Sequence, residues 1–218
     1  MKTKSATRKI QERNHAIFSR LRNANPHPQT ELEYATPYQL LVAVVLSAQA
    51  TDKSVNLATR TLFSLAPDPR AMLGLGEEKL RETINRIGLY KTKARHVIAL
   101  SQLLLERHDG EVPADGTALE ALPGVGHKTA NVILNTVFRQ AVIAVDTHIF
   151  RVANRTGLAP GKNVRVVEAG LLKSVPPEFL LDAHHWLILL GRYVCKARKP
   201  ECARCPINDL CSFPDKPL

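Results

Sequence analysis

The sequence predicts an all-α protein, on three observations. Apolar residues recur at helical rather than alternating spacing along most of the 218 residues. Pro pairs with a preceding Thr or Asp ahead of two apolar runs, Thr36-Pro37 and Asp68-Pro69, as at helix starts. Hardly any segment alternates apolar with polar residues between tight-turn signals, as strands and hairpins do.

The elements follow in order. Ile10, Ile17 and Leu21 mark one apolar helix face, ended by Pro26 and Pro28, and the motif-free stretch before Ile10 reads as a flexible tail. Thr36 and Pro37 start a nearly all-apolar, buried helix over 38–48. Thr51 caps another, running to 66, and Asp68-Pro69 opens a short one that Gly74 to Gly76 break. Helices over 77–87 and 91–108 are joined by Gly88-Leu89-Tyr90 and end near Gly110. A helix over 117–122 leads into Pro123-Gly124-Val125-Gly126, and 127–138 follows. The segment 88–94 is a weak echo of 124–130, which marks both turns as the same kind of object. After a short β-branched run over 142–145, Asp146 or Thr147 caps a helix to about 156, and later helices span 163–174 and 179–192.

Composition bounds the function. With 44% hydrophobic and 23% charged residues the chain is an ordinary globular protein with a sizeable core, not a disordered, collagenous or coiled-coil one. Residues 34–51 carry no charge, but these 18 residues include Pro37, Gln39, Ser47 and Gln49, and a membrane span needs about 20 mostly apolar ones. The basic N-terminus lacks the apolar stretch of a secretory signal, so the expected address is the cytoplasm. The net charge of +10 is concentrated: residues 1–22 carry +6, residues 191–205 carry +4, and the other 181 sum to zero. Clustered cations are the footprint of a polyanion such as nucleic acid.

All four cysteines fall late, at Cys195, Cys202, Cys205 and Cys211, spaced C-x6-C-x2-C-x5-C. A cytoplasmic address argues against disulfides. A structural zinc shows two short knuckles and only one is present, while four thiolates also suit a [4Fe–4S] cluster; the spacing leaves both open and differs from ferredoxin runs. Between the first two cysteines, Lys196, Arg198 and Lys199 ride on a loop that a metal centre would hold rigid against phosphates.

Gly124 and Gly126 directly precede a helix, whose first amides make an anion site that a DNA phosphate fits without any base being read. No strand precedes them, so they are not a dinucleotide-binding turn. Lys128 sits in the first turn of that helix, where a cation is disfavoured by about 0.3–1 kcal/mol. It is either a solvated lysine or a nucleophile, for which partial burial and a helix N-terminus favour loss of the proton. Asp146 is an N-cap or a carboxylate that stabilises positive charge on a sugar or moves protons.

Taken together, Leu-Ser-Ala-Gln-Ala-Thr-Asp (46–52), Leu-Pro-Gly-Val-Gly-His-Lys-Thr-Ala (122–130), Val-Asp-Thr-His (145–148) and the cysteine loop resemble the endonuclease III family of helix–hairpin–helix DNA glycosylases, over nearly the whole chain. The resemblance implies a bifunctional glycosylase and AP lyase of base excision repair, acting on oxidised pyrimidines in double-stranded DNA, or on abasic sites. Lys128 would attack C1′ and form a Schiff base, Asp146 would assist, and β-elimination would cut 3′ to the lesion. The target base is flipped out, Gln49 fills the gap and Leu89 acts as a wedge, with Gly124, Gly126, His127 and Lys199 as further DNA contacts. His127 stands where the family often has a basic residue. The resemblance also implies one [4Fe–4S] cluster on the four cysteines and a monomer in a bacterial-type, nucleoid-associated setting. It implies two lobes. One comprises residues 1–28 and 142–218; the other is a six-helix barrel over 29–141 with the hairpin near 117–138. The two cationic ends then share a lobe, as one DNA-facing surface. Adenine-mispair relatives usually have Ser at the place of Lys128 and continue into a further domain. The alternatives are a pyrimidine-dimer glycosylase of the same family, a non-catalytic metal-stabilised DNA-binding module, and a redox protein.

Overall fold

A computed structural model describes residues 2–217, which form helices and connecting loops with no strand among them. The chain divides into two compact units. Unit 1 comprises Met1–Thr30 and Gln140–Leu218, and unit 2 comprises Glu31–Arg139.

Unit 2 is one continuous stretch. It holds α2 (Pro37–Ser47), α3 (Asp52–Leu65), α4 (Pro69–Leu75), α5 (Glu77–Thr83), α6 (Tyr90–Arg107), α7 (Gly116–Glu120) and α8 (His127–Thr136). Three of these helices have seven residues or fewer. The central element is α2, which packs against α3, α6 and α8. Every residue from Tyr38 to Leu46 is buried, which explains why its sequence shows no polar face. The two polar side chains there are satisfied. The Tyr38 hydroxyl lies 2.6 Å from Ser101 Oγ, and Gln39 Oε1 accepts from Ala35 N at 2.8 Å. Thr36, Thr51, Asp68 and Asp115 cap α2, α3, α4 and α7 through their side chains. Each such cap contributes about 1 kcal/mol.

Unit 1 joins α1 (Lys2–Ala24) to α9 (Thr147–Thr156), α10 (Val164–Ser174) and α11 (Leu180–Tyr193). The stretch before Ile10 continues α1 instead of forming a flexible tail. Its residues 5–10 are exposed, and Arg8 and Glu12 pair one turn apart, so local propensity carries the helix there. Ile10 itself is 57% exposed. The face that does bury is Ile17, Phe18 and Leu21. It meets Phe179 and Trp186, with Phe18–Phe179 centroids 5.9 Å apart, and Val152, Leu171 and Leu187 complete the core. The predicted β-branched run 142–145 forms no strand.

The basic N-terminal segment is not simply a free cationic surface. Arg20 makes a bidentate ion pair with Asp209, and Arg13 donates to Ser212 Oγ at 3.0 Å and Gly157 O at 3.1 Å. Arg22 lies over the Phe179 ring. These arginines tie α1 to later segments of unit 1, so part of the N-terminal charge is engaged within the protein. The side chains of Lys2 and Lys4, part of that charge, lie outside the described residues.

Candidate active site and cysteine centre

Unit 2 presents two helix–turn–helix corners, and they are built differently. In the second, Gly124 has φ +81°, and a Cβ there would sit 2.9 Å from the His96 side chain, so both backbone and packing require glycine. Gly126 is different. It caps α8 in an ordinary extended conformation, and a Cβ there would meet nothing within 4 Å. The fold does not require this glycine; it leaves the α8 N-terminus open. That terminus has no side-chain cap, so its first amides are available to an anion. Lys128 is the second residue of α8. It is exposed, and among the described residues no hydrogen bond or ion pair holds its amine. His127, beside it, is engaged: Nδ1 lies 2.9 Å from Glu120 Oε1.

In the first corner the left-handed residue is Leu89 itself (φ 59°), at the cap of α6, whereas in the second it is Gly124, two residues before the cap. The weak sequence echo therefore does not extend to turn conformation. Leu89 is 61% exposed. Gln49, just after α2, is likewise exposed and left-handed (φ 55°). A non-glycine residue in that region costs about 1–2 kcal/mol, and such strain gathers at functional sites. The two turns are neighbours, since a Cβ on Gly88 would lie 4.0 Å from Gln49 O. Lys93, which sequence reasoning missed, is buried to 4% exposure and donates from Nζ to Leu46 O (2.9 Å) and Ala48 O (2.7 Å). Nothing in the sequence separates it from the exposed Lys91 except its place on the inward face of α6.

In unit 1, Asp146 caps α9. Its Oδ1 accepts from His148 N at 2.9 Å and Ile149 N at 2.8 Å, and among the described residues its other oxygen takes no amide. The carboxylate is thus both a cap and a fixed group with a free oxygen. Behind it, α9 and α11 approach closely at Gly191, where a Cβ would lie 2.8 Å from His148 Cβ.

The four cysteines are free thiols that line one small apolar pocket with Leu190 and Ile207. Burial first, then the neighbouring sulfurs, pushes the Cys202 thiol up, and burial does the same to Cys205. Four sulfurs crowded this way call for a cationic centre to hold them as thiolates. Four cysteine sulfurs gathered at one apolar pocket are the donor set of an iron–sulfur cluster.

The loop between Cys195 and Cys202 is pinned by two arginines of α9, another feature sequence reasoning missed. Arg155 donates to Lys196 O (2.7 Å) and Ala197 O (2.8 Å) and lies 3.6 Å from Cys195 Sγ, and Arg151 donates to Cys195 O (2.9 Å). Their signal was a spacing of four on one helix. Of the three loop cations, Lys196 pairs with Glu201, as does Arg204, while Arg198 and Lys199 are exposed. Lys196 first, then Arg204, holds the Glu201 carboxyl below the usual range.

Comparison with known proteins gives a consistent picture. Residues 42–177 match the model of the HhH-GPD superfamily of base excision DNA repair proteins, and residues 195–211 match the iron–sulfur binding domain of endonuclease III. The chain is 61% identical to Endonuclease III of Escherichia coli (strain K12) over 200 residues, 92% of this chain and 95% of that protein. It is 58% identical to Endonuclease III of Treponema pallidum over 90% of this chain and 93% of that one. A solved structure of a trapped Endonuclease III–DNA covalent intermediate, an estranged-adenine complex, superposes with a TM-score of 0.86 at 40% identity, covering 92% of this chain and 95% of the other.

Proposed function

Because the chain belongs to the endonuclease III family of helix–hairpin–helix DNA glycosylases, we propose that Lys128 is its nucleophile and Asp146 the carboxylate that assists it. The protein is a base excision repair DNA glycosylase and AP lyase, it binds damaged double-stranded DNA, and its four cysteines carry one [4Fe–4S] cluster.

In the proposed reaction the neutral Lys128 amine attacks C1′ of the damaged nucleotide as the bond from C1′ to the base breaks. The amine then loses one proton, O4′ takes one up as its bond to C1′ breaks and the sugar ring opens, and a protonated imine links Nζ to C1′. Loss of a C2′ proton and departure of the 3′ phosphate cut the strand. Asp146 stabilises the positive charge that develops on the sugar and receives or returns protons; two amides fix it through one oxygen and leave the other free. The open α8 N-terminus after Gly124 and Gly126 holds a DNA phosphate. Gln49 and Leu89 enter the duplex where the flipped base leaves, and an exposed apolar wedge offsets lost stacking. His127 reaches a phosphate by exchanging its Glu120 contact, and Lys199 makes another. The cluster's place in this scheme is to hold the loop that carries Arg198 and Lys199.

The observation that carries the reading is an unpaired, exposed lysine in the first turn of an uncapped helix whose preceding glycine the fold does not need. Oxidised pyrimidines are the proposed substrates. Among the described residues no helix is long and apolar enough to cross a membrane, and the proposed setting is the bacterial nucleoid. Borohydride trapping on duplex DNA with one thymine glycol tests the assignment. A covalent adduct with the wild type and none with Lys128→Ala is expected. Turnover by Lys128→Ala at the wild-type rate would exclude Lys128, and trapping on an abasic duplex alone would move the substrate to another damaged base.

A further inference from the structure

Lys93 has no part in the chemistry above, yet it is a buried lysine in the first turn of α6. Burial pulls its ammonium below the usual lysine range. An apolar side chain would fill the same space without the desolvation cost. What the lysine adds is a bridge. Its ammonium donates to Leu46 O and Ala48 O, the carbonyls on either side of the α2 C-terminus, where a cation also complements the helix dipole. Ala48 immediately precedes Gln49. The backbone N–H of Lys93 meanwhile donates to Leu89 O at 3.0 Å. The Lys93 side chain therefore holds the turn of Gln49 from a residue whose own helix starts at Leu89, through the ordinary first-turn bond, and the two turns are neighbours.

We infer that Lys93 is the positioning residue that sets the separation and orientation of Gln49 and Leu89, so that the two enter the DNA stack as a unit. The inference rests on the reading of Gln49 and Leu89 as DNA-entering residues. Without the bridge, each strained turn relaxes on its own, and the pair no longer meets the gap left by the flipped base.

The test is a cycle on the cluster-loaded protein with Lys93→Met, Gln49→Ala/Leu89→Ala and the combined variant. Two quantities are read: kcat/KM on a thymine-glycol duplex, and the fluorescence rise of 2-aminopurine placed opposite a tetrahydrofuran abasic analogue. Misplacing a positioning group by about an ångström costs up to about 100-fold, and for Lys93→Met a loss of about tenfold is expected, with most of the fluorescence rise gone. In the Gln49→Ala/Leu89→Ala background the same substitution is expected to cost less than about twofold, because the groups it positions are absent. A full tenfold loss in that background, or a wild-type fluorescence rise in Lys93→Met, overturns the inference while leaving the reading of the pair intact. Wild-type turnover and fluorescence in Gln49→Ala/Leu89→Ala instead removes the reading of the pair, and the inference with it. If Lys93→Met does not unfold cooperatively, Lys93→Gln, which keeps one neutral donor, is judged by the same comparisons.

Discussion

At the scale of single residues, the positions that matter are those the fold would not have chosen. Gln49 and Leu89 hold left-handed conformations without being glycine, and both face solvent. Replacing either with glycine is expected to raise stability by up to about 1 kcal/mol while slowing damage excision; thermal melts alongside turnover on a thymine-glycol duplex check this. The two hairpin glycines separate in the opposite way. Gly124→Ala faces both a positive φ and the His96 ring at 2.9 Å, and is expected to cost roughly 1–3 kcal/mol. Gly126→Ala leaves stability nearly unchanged and weakens DNA binding. Asp146 allows a similar separation: asparagine caps a helix as well as aspartate, so Asp146→Asn keeps the melting temperature and slows base release, whereas Asp146→Ala loses about 1 kcal/mol of capping as well. The sequence marked Lys128 and Asp146 because their neighbours, two glycines and a β-branched run, are unusual. It hid Lys93 because a buried lysine differs from a solvated one only in what the helix packs against.

At the scale of elements, helix identity was legible and some helix faces were not. Caps at Thr36, Thr51 and Asp68 fall where the sequence put them, since a side-chain oxygen three residues ahead of an amide is a local feature. The burial of α1 was misread at Ile10 and missed at Phe18, because burial depends on partners more than 150 residues away. The cluster loop shows the same dependence. Its cysteines are visible as letters, but Arg155, the residue that holds its backbone, sits on α9. Arg155→Ala is expected to leave unit 2 unchanged and to speed bleaching of the protein's visible absorbance in air, measured against the wild type. The loop should also respond to acid. Glu201 is held below its ordinary range by Lys196 and Arg204, so the tie it makes is present above that range and is lost as pH falls through its lowered value. Amide exchange across 196–204 should therefore quicken on acidification. In Glu201→Gln it should already be fast at neutral pH.

At the scale of the whole molecule, the charge of +10 pointed to DNA correctly but overstated how much of it is free to act there. Arg13 and Arg20 are engaged in holding unit 1 together, and Lys196 and Arg204 are paired with Glu201. Arg198 and Lys199 remain exposed on the pinned loop. Replacing both with glutamine is expected to weaken binding to any DNA sequence and to lower the slope of log K against log salt by about two units. Neither composition nor spacing reveals which distant segments of the chain meet in the unit assembled from both its ends. That assembly imposes an order on synthesis. As the chain leaves the ribosome, α1 emerges with Ile17, Phe18 and Leu21 uncovered, and the residues that bury them, Phe179 and Trp186, come more than 150 positions later. Unit 2 is complete in the interval and folds first. The cysteines arrive after every α-helix of both units, so iron can enter only a nearly finished scaffold. A chain interrupted between the two stages would present α2 to α8 without the segment that carries the four cysteines.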